Sequence, residues 1–170
     1  MSITVSLKNI FSLSLVLGLL ALLPGCWPFS SSEKKAEFAY DERFVVISVN
    51  DKDVHADCSI KGSINVALSD IESFSKKLKK DAEIVIYCTN YMCSASGLAA
   101  KQLKALGFEK VRAYEGGSAE WFQAGYPVEG SCKMPYLKQK MTHHEGAQQR
   151  DIIEVTELKR KMDEFYYTKK

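Results

Sequence analysis

Basic charge is not concentrated anywhere in this chain: 23 Lys and Arg stand against 21 Asp and Glu, mixed along 170 residues. Nucleic-acid binding needs a dense basic surface, so that class of partner is excluded, and Lys77, Lys79 and Lys80 read as a solvated helix face. Cys-x2-Cys pairs are also missing. Cys88 and Cys93 have the wrong spacing for a zinc knuckle, and the adjacent His143 and His144 cannot both face one ion on a regular helix. No metal site and no cofactor are expected. Internal repeats are absent, and the serine trio at 30–32 is the only low-complexity fragment, so a repeat architecture is excluded.

No apolar run is long enough to cross a bilayer. The stretch Ile10 to Leu23 has fourteen residues, which at about 1.5 Å each cover ~21 Å of a hydrocarbon core ~30 Å thick. Preceded by Lys8 and no acid, it reads as a signal peptide rather than a span. Its end, Leu23-Pro24-Gly25-Cys26, resembles the lipobox of bacterial lipoproteins, which implies cleavage before Cys26 and a lipid on that residue. Residues 1–25 are then the signal peptide, and 26–37 a lipidated cysteine with a flexible tether. An ordinary secretory signal with a chance cysteine is the alternative. The implied location is the cell envelope, anchored to the membrane through Cys26; Trp27, rather than Asp, would direct a Gram-negative protein to the outer membrane, facing the periplasm. Removing residues 1–25 takes away one Lys, leaving 22 basic against 21 acidic residues, a net charge of +1. About 145 residues remain, enough for one domain with a core.

What is present is a pattern of alternating strands and helices. Phe44-Val45-Val46-Ile47-Ser48-Val49 is a β-branched run of the kind buried in a parallel sheet. Ser69-Asp70-Ile71-Glu72 fits a capping box, and Ile71, Phe74 and Leu78 recur at helical spacing, which predicts a helix over 69–80. From Ser94 onward Ala95, Leu98, Ala99, Leu103 and Leu106 fall on one helical face, and Gly107 is placed to end that helix. Val111-Arg112-Ala113-Tyr114 is another strand, closed by Gly116-Gly117. The order argues an α/β layered domain with a mostly parallel sheet. Beyond Gly130 lies an appendage, 131–170, in which Val155, Leu158, Met162 and Phe165 predict one amphipathic helix, to dock on the domain or on a partner.

The chemistry points to Cys88. The strand Glu83-Ile84-Val85-Ile86-Tyr87 delivers it, and a short polar loop leads straight into a helix. A helix N-terminus offers unpaired N–H groups and the positive end of the helix dipole, so a thiolate placed there is expected to have a pKa well below the roughly 8.5 of a free cysteine. A nucleophilic sulfur follows.

With these elements in order, residues 38–130 resemble a single rhodanese-like sulfurtransferase domain. Ile84-Val85-Ile86-Tyr87-Cys88 resembles the strand carrying the family's catalytic cysteine, with Ser94 where the loop ends; Ile60-Lys61-Gly62-Ser63-Ile64-Asn65-Val66 resembles an upstream family segment. Glu115-Gly116-Gly117, Trp121, Gly125 and Pro127 resemble the family's ending. The resemblance implies a three-layer α/β domain with a central, mostly parallel sheet flanked by helices. It also implies a persulfide on Cys88, bound by the loop Thr89, Asn90, Tyr91, Met92, Cys93 and Ser94 through a nest of N–H groups around the sulfur. Cys88 would take sulfane sulfur from a donor and pass it to a thiol acceptor, in a covalent ping-pong scheme. Gly116, Gly117 and Trp121 are read as structural.

The departures bear on the donor. In thiosulfate-using members the loop carries Arg or Lys, and here Cys93 stands in the place of an Arg. A charge-assisted hydrogen bond contributes roughly 1.5–3 kcal/mol, so a loop without a cation disfavours thiosulfate and favours polysulfides or thiol-bound sulfane sulfur. Ser48-Val49-Asn50 replaces an expected Asp-x-Arg, and Ser59 an expected His. A cysteine phosphatase needs Arg where Ser94 stands, which disfavours that chemistry. His55 reads as a loop residue.

Cys58, Cys88, Cys93 and Cys132 remain after lipidation of Cys26, and four cysteines allow three pairings. A second function is therefore thiol redox, with Cys93 or Cys58 as candidate resolving thiol, against the reading of both as small buried hydrophobes. Cys132 has no assigned partner. A third is a non-catalytic binding module that uses the C-terminal helix as its surface.

Overall fold

The computed structural model describes residues 40–140 and 151–168. The signal peptide, Cys26, the tether and the His143-His144 pair lie outside the described residues. The β-branched run forms β1, Phe44–Ser48, buried throughout. Side chains alternate across a strand, and here both faces are covered: Val45 and Ile47 enter one apolar cluster, Phe44 and Val46 another. The same division runs through β4, Glu83–Tyr87, where Ile84 and Ile86 face one way and Val85 and Tyr87 the other. With β3, Ile64–Asn65, and β5, Val111–Tyr114, these strands make a parallel sheet in the order β3-β1-β4-β5. Ile47 lies opposite Ile86 and Ser48 opposite Tyr87, so β1 and β4 end level. A separate antiparallel pair joins β2, Ser59–Ile60, to β6, Val128–Glu129.

Helices cover the sheet. On the face of Ile84 and Ile86 lie α2, Ile71–Ser75, and α3, Ala95–Ala105, contributing Ile71, Ala99, Ala100 and Leu103. The α3 helix begins after Ser94 and ends before Gly107, whose φ of +85° closes it as expected. Leu98 departs from the predicted face and is 53% exposed, whereas Ser96 turns inward. The helix predicted over 69–80 is shorter. A 3-10 turn occupies Leu68–Asp70, and Ser69 Oγ bonds Asp70 Oδ1 rather than a helix N–H, so the capping box does not form. His55 sits on a short helix, α1, Lys52–Asp57, rather than in a loop, and its burial pushes its pKa down.

The opposite face is closed by α4, Gly117–Gln123, and α5, Val155–Met162. Trp121 is fully buried there beside Tyr87 and Tyr114, its Nε1 donating to Pro127 O at 2.8 Å. Leu158 and Met162 of α5 join the same cluster, so the predicted amphipathic helix docks on its own domain. It continues into a π-helical turn, Asp163–Tyr167. Arg112 of β5 pairs with both Glu83 (2.7 Å) and Glu157 (2.9 Å), and Lys161 reaches Glu83 at 2.7 Å, which anchors α5 across the strands.

Cys58 and Cys132 form a disulfide, with Cα atoms 4.6 Å apart. This corrects two expectations. Cys58 has no free thiol to resolve an intermediate, and Cys132 has a partner. The β2–β6 ladder, with Ser59 opposite Glu129, brings the two segments together, and the Cys132 N–H on Asp57 O sets Cys132 beside Cys58. Cys132 adopts φ +50°, a left-handed conformation uncommon outside glycine, held by its N–H on Asp57 O at 2.7 Å. The Asp57 carboxylate accepts from Ser131 Oγ and from the N–H groups of Lys133 and Met134, and those bonds hold its pKa below the usual range. A 3-10 turn at Pro135–Lys138 then lies along α4. Among the described residues no helix is long and apolar enough to cross a membrane.

Candidate active site

Strand parity decides where the sulfur goes. Following Ile84 and Ile86, Cys88 points to the α3 side and is fully buried in that cluster. Its carbonyl and that of Thr89 are gripped by the first amides of α4: Ser118 N–H donates to Cys88 O and Ala119 N–H to Thr89 O, both at 3.0 Å. Gly117 makes this approach possible. With φ +62°, a Cβ at Gly117 would lie 2.5 Å from Cys88 O and 2.6 Å from Thr89 O. The glycine pair read as structural thus seats the loop.

Asn90 organises the loop itself. Buried and bonded to Gln139, it accepts the Met92 N–H on Oδ1 and the Cys93 N–H on its carbonyl, both at 3.0 Å. Tyr91 OH donates to Glu120 Oε1 at 2.9 Å, Met92 points to solvent at 72% exposure, and exposed Ser94 precedes α3 without a side-chain cap. The N–H groups of Met92 and Cys93 are therefore engaged by Asn90 and do not encircle Cys88. What faces Cys88 Sγ is mixed: it donates to Cys93 O at 3.0 Å and lies 4.0 Å from Asn90 O, while Ser96, whose Oγ is 3.6 Å away, acts through its backbone and side chain to lower the Cys88 pKa.

The ionisation pattern is accordingly the reverse of the expected one. Cys88 and Cys93 are the free thiols among the described residues, and each bears on the other's ionisation. The neighbouring Cys93 side chain, with burial, pushes Cys88 well above the ordinary thiol range. The Cys88 side chain holds Cys93 down to about 5, helped by backbone donors at Ala95 and Thr89. The helix N-terminus does lower a cysteine pKa, but the cysteine is Cys93.

Cys93 lines an open cavity of about 320 Å³ with Tyr91, Met92, Ser94, Ser96 and, at its rim, Lys101 and Glu115. Cys88 does not line it. Thr89, Asn90, Tyr91, Met92, Cys93 and Ser94 are brought together around the sulfurs, whereas Cys58 is tied into its disulfide. Ser48 and Asn50 serve the end of β1, where Asn65 Nδ2 donates to both of their carbonyls at 3.1 and 2.8 Å. Sequence reasoning missed Ser96 and Glu120. Ser96 had a signal, as the polar member of the inward set Ser96, Ala99, Ala100, Leu103. Glu120 had none, since its contact with Tyr91 spans 29 residues.

A family model described as a rhodanese-like domain matches residues 32–124. The chain belongs to this family. Among curated relatives, the thiosulfate sulfurtransferase GlpE of Coxiella burnetii is 26% identical over 89 residues, 52% of this chain and 80% of the relative. Among solved structures, the BH2092 protein of Bacillus halodurans is 30% identical with a TM-score of 0.50, covering 54% of this chain and 66% of that one. The rhodanese-like domain of the Alr3790 protein of Anabaena sp. is 29% identical with a TM-score of 0.47, covering 51% of this chain and 86% of that one. The rhodanese-like fold explains the level ends of β1 and β4: ligands of parallel sheets bind beyond the carboxyl ends of the strands, which is where Cys88 and its loop stand.

Proposed function

We propose that this rhodanese-like protein is an envelope-localised sulfurtransferase that carries sulfane sulfur as a persulfide on Cys88 and passes it to a thiol acceptor. The observation that carries the reading is the free thiol at the end of β4, held by the α4 amides behind a cavity that opens on a second free thiol. A persulfide on Cys88 would form as the donor's thiolate leaves, and an acceptor thiolate would remove the outer sulfur and restore Cys88. Neither half-reaction changes the net redox state.

The donor favoured is a polysulfide or a thiol-bound sulfane sulfur. The loop from Thr89 to Ser94 has no cation, the one lysine lining the cavity stands beside Glu115, and Glu120 lies behind Tyr91. A dianion such as thiosulfate, the substrate named for the Coxiella relative, gains little there. Location and anchoring rest on Leu23-Pro24-Gly25-Cys26, which implies a lipid on Cys26.

Thiol redox is the second reading, favoured by the contact between two residues with free thiols, Cys88 Sγ lying 3.0 Å from Cys93 O. Intact-mass measurement and peptide mapping of the reduced protein, offered thiosulfate or polysulfide separately, distinguish the two. One added sulfur on Cys88, lost on adding a thiol acceptor and absent in Cys88→Ser, is the expected result. A Cys88–Cys93 disulfide in its place moves the assignment to thiol redox.

A further inference from the structure

Taking sulfane-sulfur chemistry at this site as given, the buried position of Cys88 raises the question of how a donor meets it. Cys88 has no exposed surface and is absent from the cavity wall, while Cys93 is part-exposed and lines that wall between the loop and the start of α3. Cys93 O lies 3.0 Å from Cys88 Sγ, so the thiol that lines the cavity belongs to the residue in direct contact with the buried one. We propose that Cys93 takes the sulfane sulfur from the donor and hands it to Cys88 behind it.

The resting charge distribution suits this order. The donors at Ala95, Thr89 and Cys88 converge on the outer sulfur and favour a thiolate there, while Cys93 O, 3.0 Å from the inner sulfur, accepts the proton kept on it. In the first step Cys93–S⁻ attacks the outer sulfur of R–S–SH; the new Cys93–S bond forms as the donor's S–S bond breaks, and RS⁻ leaves with the donor's proton, giving Cys93–S–S⁻ and RSH. In the second, the Cys88 proton passes to the terminal sulfur, and the Cys88 thiolate so formed attacks that sulfur as its bond to the Cys93 sulfur breaks: Cys93–S–S⁻ and Cys88–SH become Cys93–S⁻ and Cys88–S–SH. The proton of Cys88 ends on the transferred sulfur, no electrons are gained or lost overall, and Cys93 is ready again. Cys88 then holds its persulfide away from water and stray thiols. The substrate class implied is a chain narrow enough to enter beside Met92, such as a hydropersulfide or an inorganic polysulfide.

Rapid-quench loading of the full chain with sodium polysulfide at neutral pH, followed by alkylation and peptide mapping, tests the order. Wild-type protein should show sulfur first on Cys93 and then on Cys88. Cys88→Ser should accumulate sulfur on Cys93 and pass none of it on. Cys93→Ser should load Cys88 about tenfold more slowly or worse, since only a few per cent of an ordinary buried thiol is thiolate at that pH. Cys93→Ala should behave as Cys93→Ser does, and an unchanged chemical-denaturation midpoint in each excludes misfolding as the cause. Loading of Cys88 at the wild-type rate in both Cys93 variants overturns the hand-over while leaving the persulfide function intact. Wild-type protein that takes sulfur on neither cysteine overturns both.

Discussion

At the scale of single residues, the position of one proton separates the two thiols. Cys93 is held down to about 5 by its hydrogen-bond donors, so its thiolate persists as pH falls until that value is approached. Iodoacetamide should therefore label Cys93 at nearly constant rate down to about pH 6, while Cys88, buried and pushed upward, stays unlabelled; peptide mapping across pH reads both. Labelling of Cys88 first would contradict the arrangement. Gly117 gives a second case. An alanine there meets a left-handed φ and the carbonyls of Cys88 and Thr89, so Gly117→Ala should cost about 2 kcal/mol or more and slow persulfide loading. Gly125, at φ +71° with open space around it, supplies the control: Gly125→Ala should cost about 1 kcal/mol in urea unfolding and leave loading alone.

Among elements, α5 depends on charge as well as packing. Leu158 and Met162 are buried, but Arg112 and Lys161 fix the helix to the strands through Glu83 and Glu157. These pairs are partly exposed, so Arg112→Met should cost about 1–2 kcal/mol and show first as faster hydrogen exchange in α5. The bonds to Arg112 hold Glu157 below its ordinary value, which fixes the sign with pH. That stabilisation is fully present above the unfolded carboxyl value of about 4.3 and is lost as pH falls through the lower folded one, so α5 amides should lose protection in acid before the sheet does. Equal protection loss in α5 and β4 would show that the ion pairs do not control this element.

For the whole molecule, the Cys58–Cys132 disulfide closes a long stretch of chain that contains β3, β4, β5 and the candidate site, while β1 lies before it. With the two cysteines 74 positions apart, Cys132→Ser should lower unfolding stability by about 2–4 kcal/mol, read from a denaturation curve under non-reducing conditions. A bond of this kind persists outside the reducing cytoplasm. The same bond fixes the start of the segment that lies along α4, whose Gln139 meets Asn90 of the loop.

By itself the sequence determined the parts that depend on local periodicity. Short apolar, β-branched runs placed β1, β4 and β5, Gly107 ended α3, and Cys88 was legible as the residue that leaves a buried strand, because each signal is carried by neighbours in the chain. Helix α2 is shorter than its pattern at both ends, with a 3-10 turn before Ile71 where the Ser69 cap does not form and turns after Ser75. Only the tertiary structure decided which thiol is buried, which holds the thiolate and which cysteines pair. Those outcomes rest on contacts between distant segments: the α4 amides on Cys88 and Thr89, the β2–β6 ladder that joins Cys58 to Cys132, and Asn90 turning the loop amides away from Cys88. A local pattern records which residues could ionise or pair, but desolvation and hydrogen-bond direction are set by what the fold brings against them.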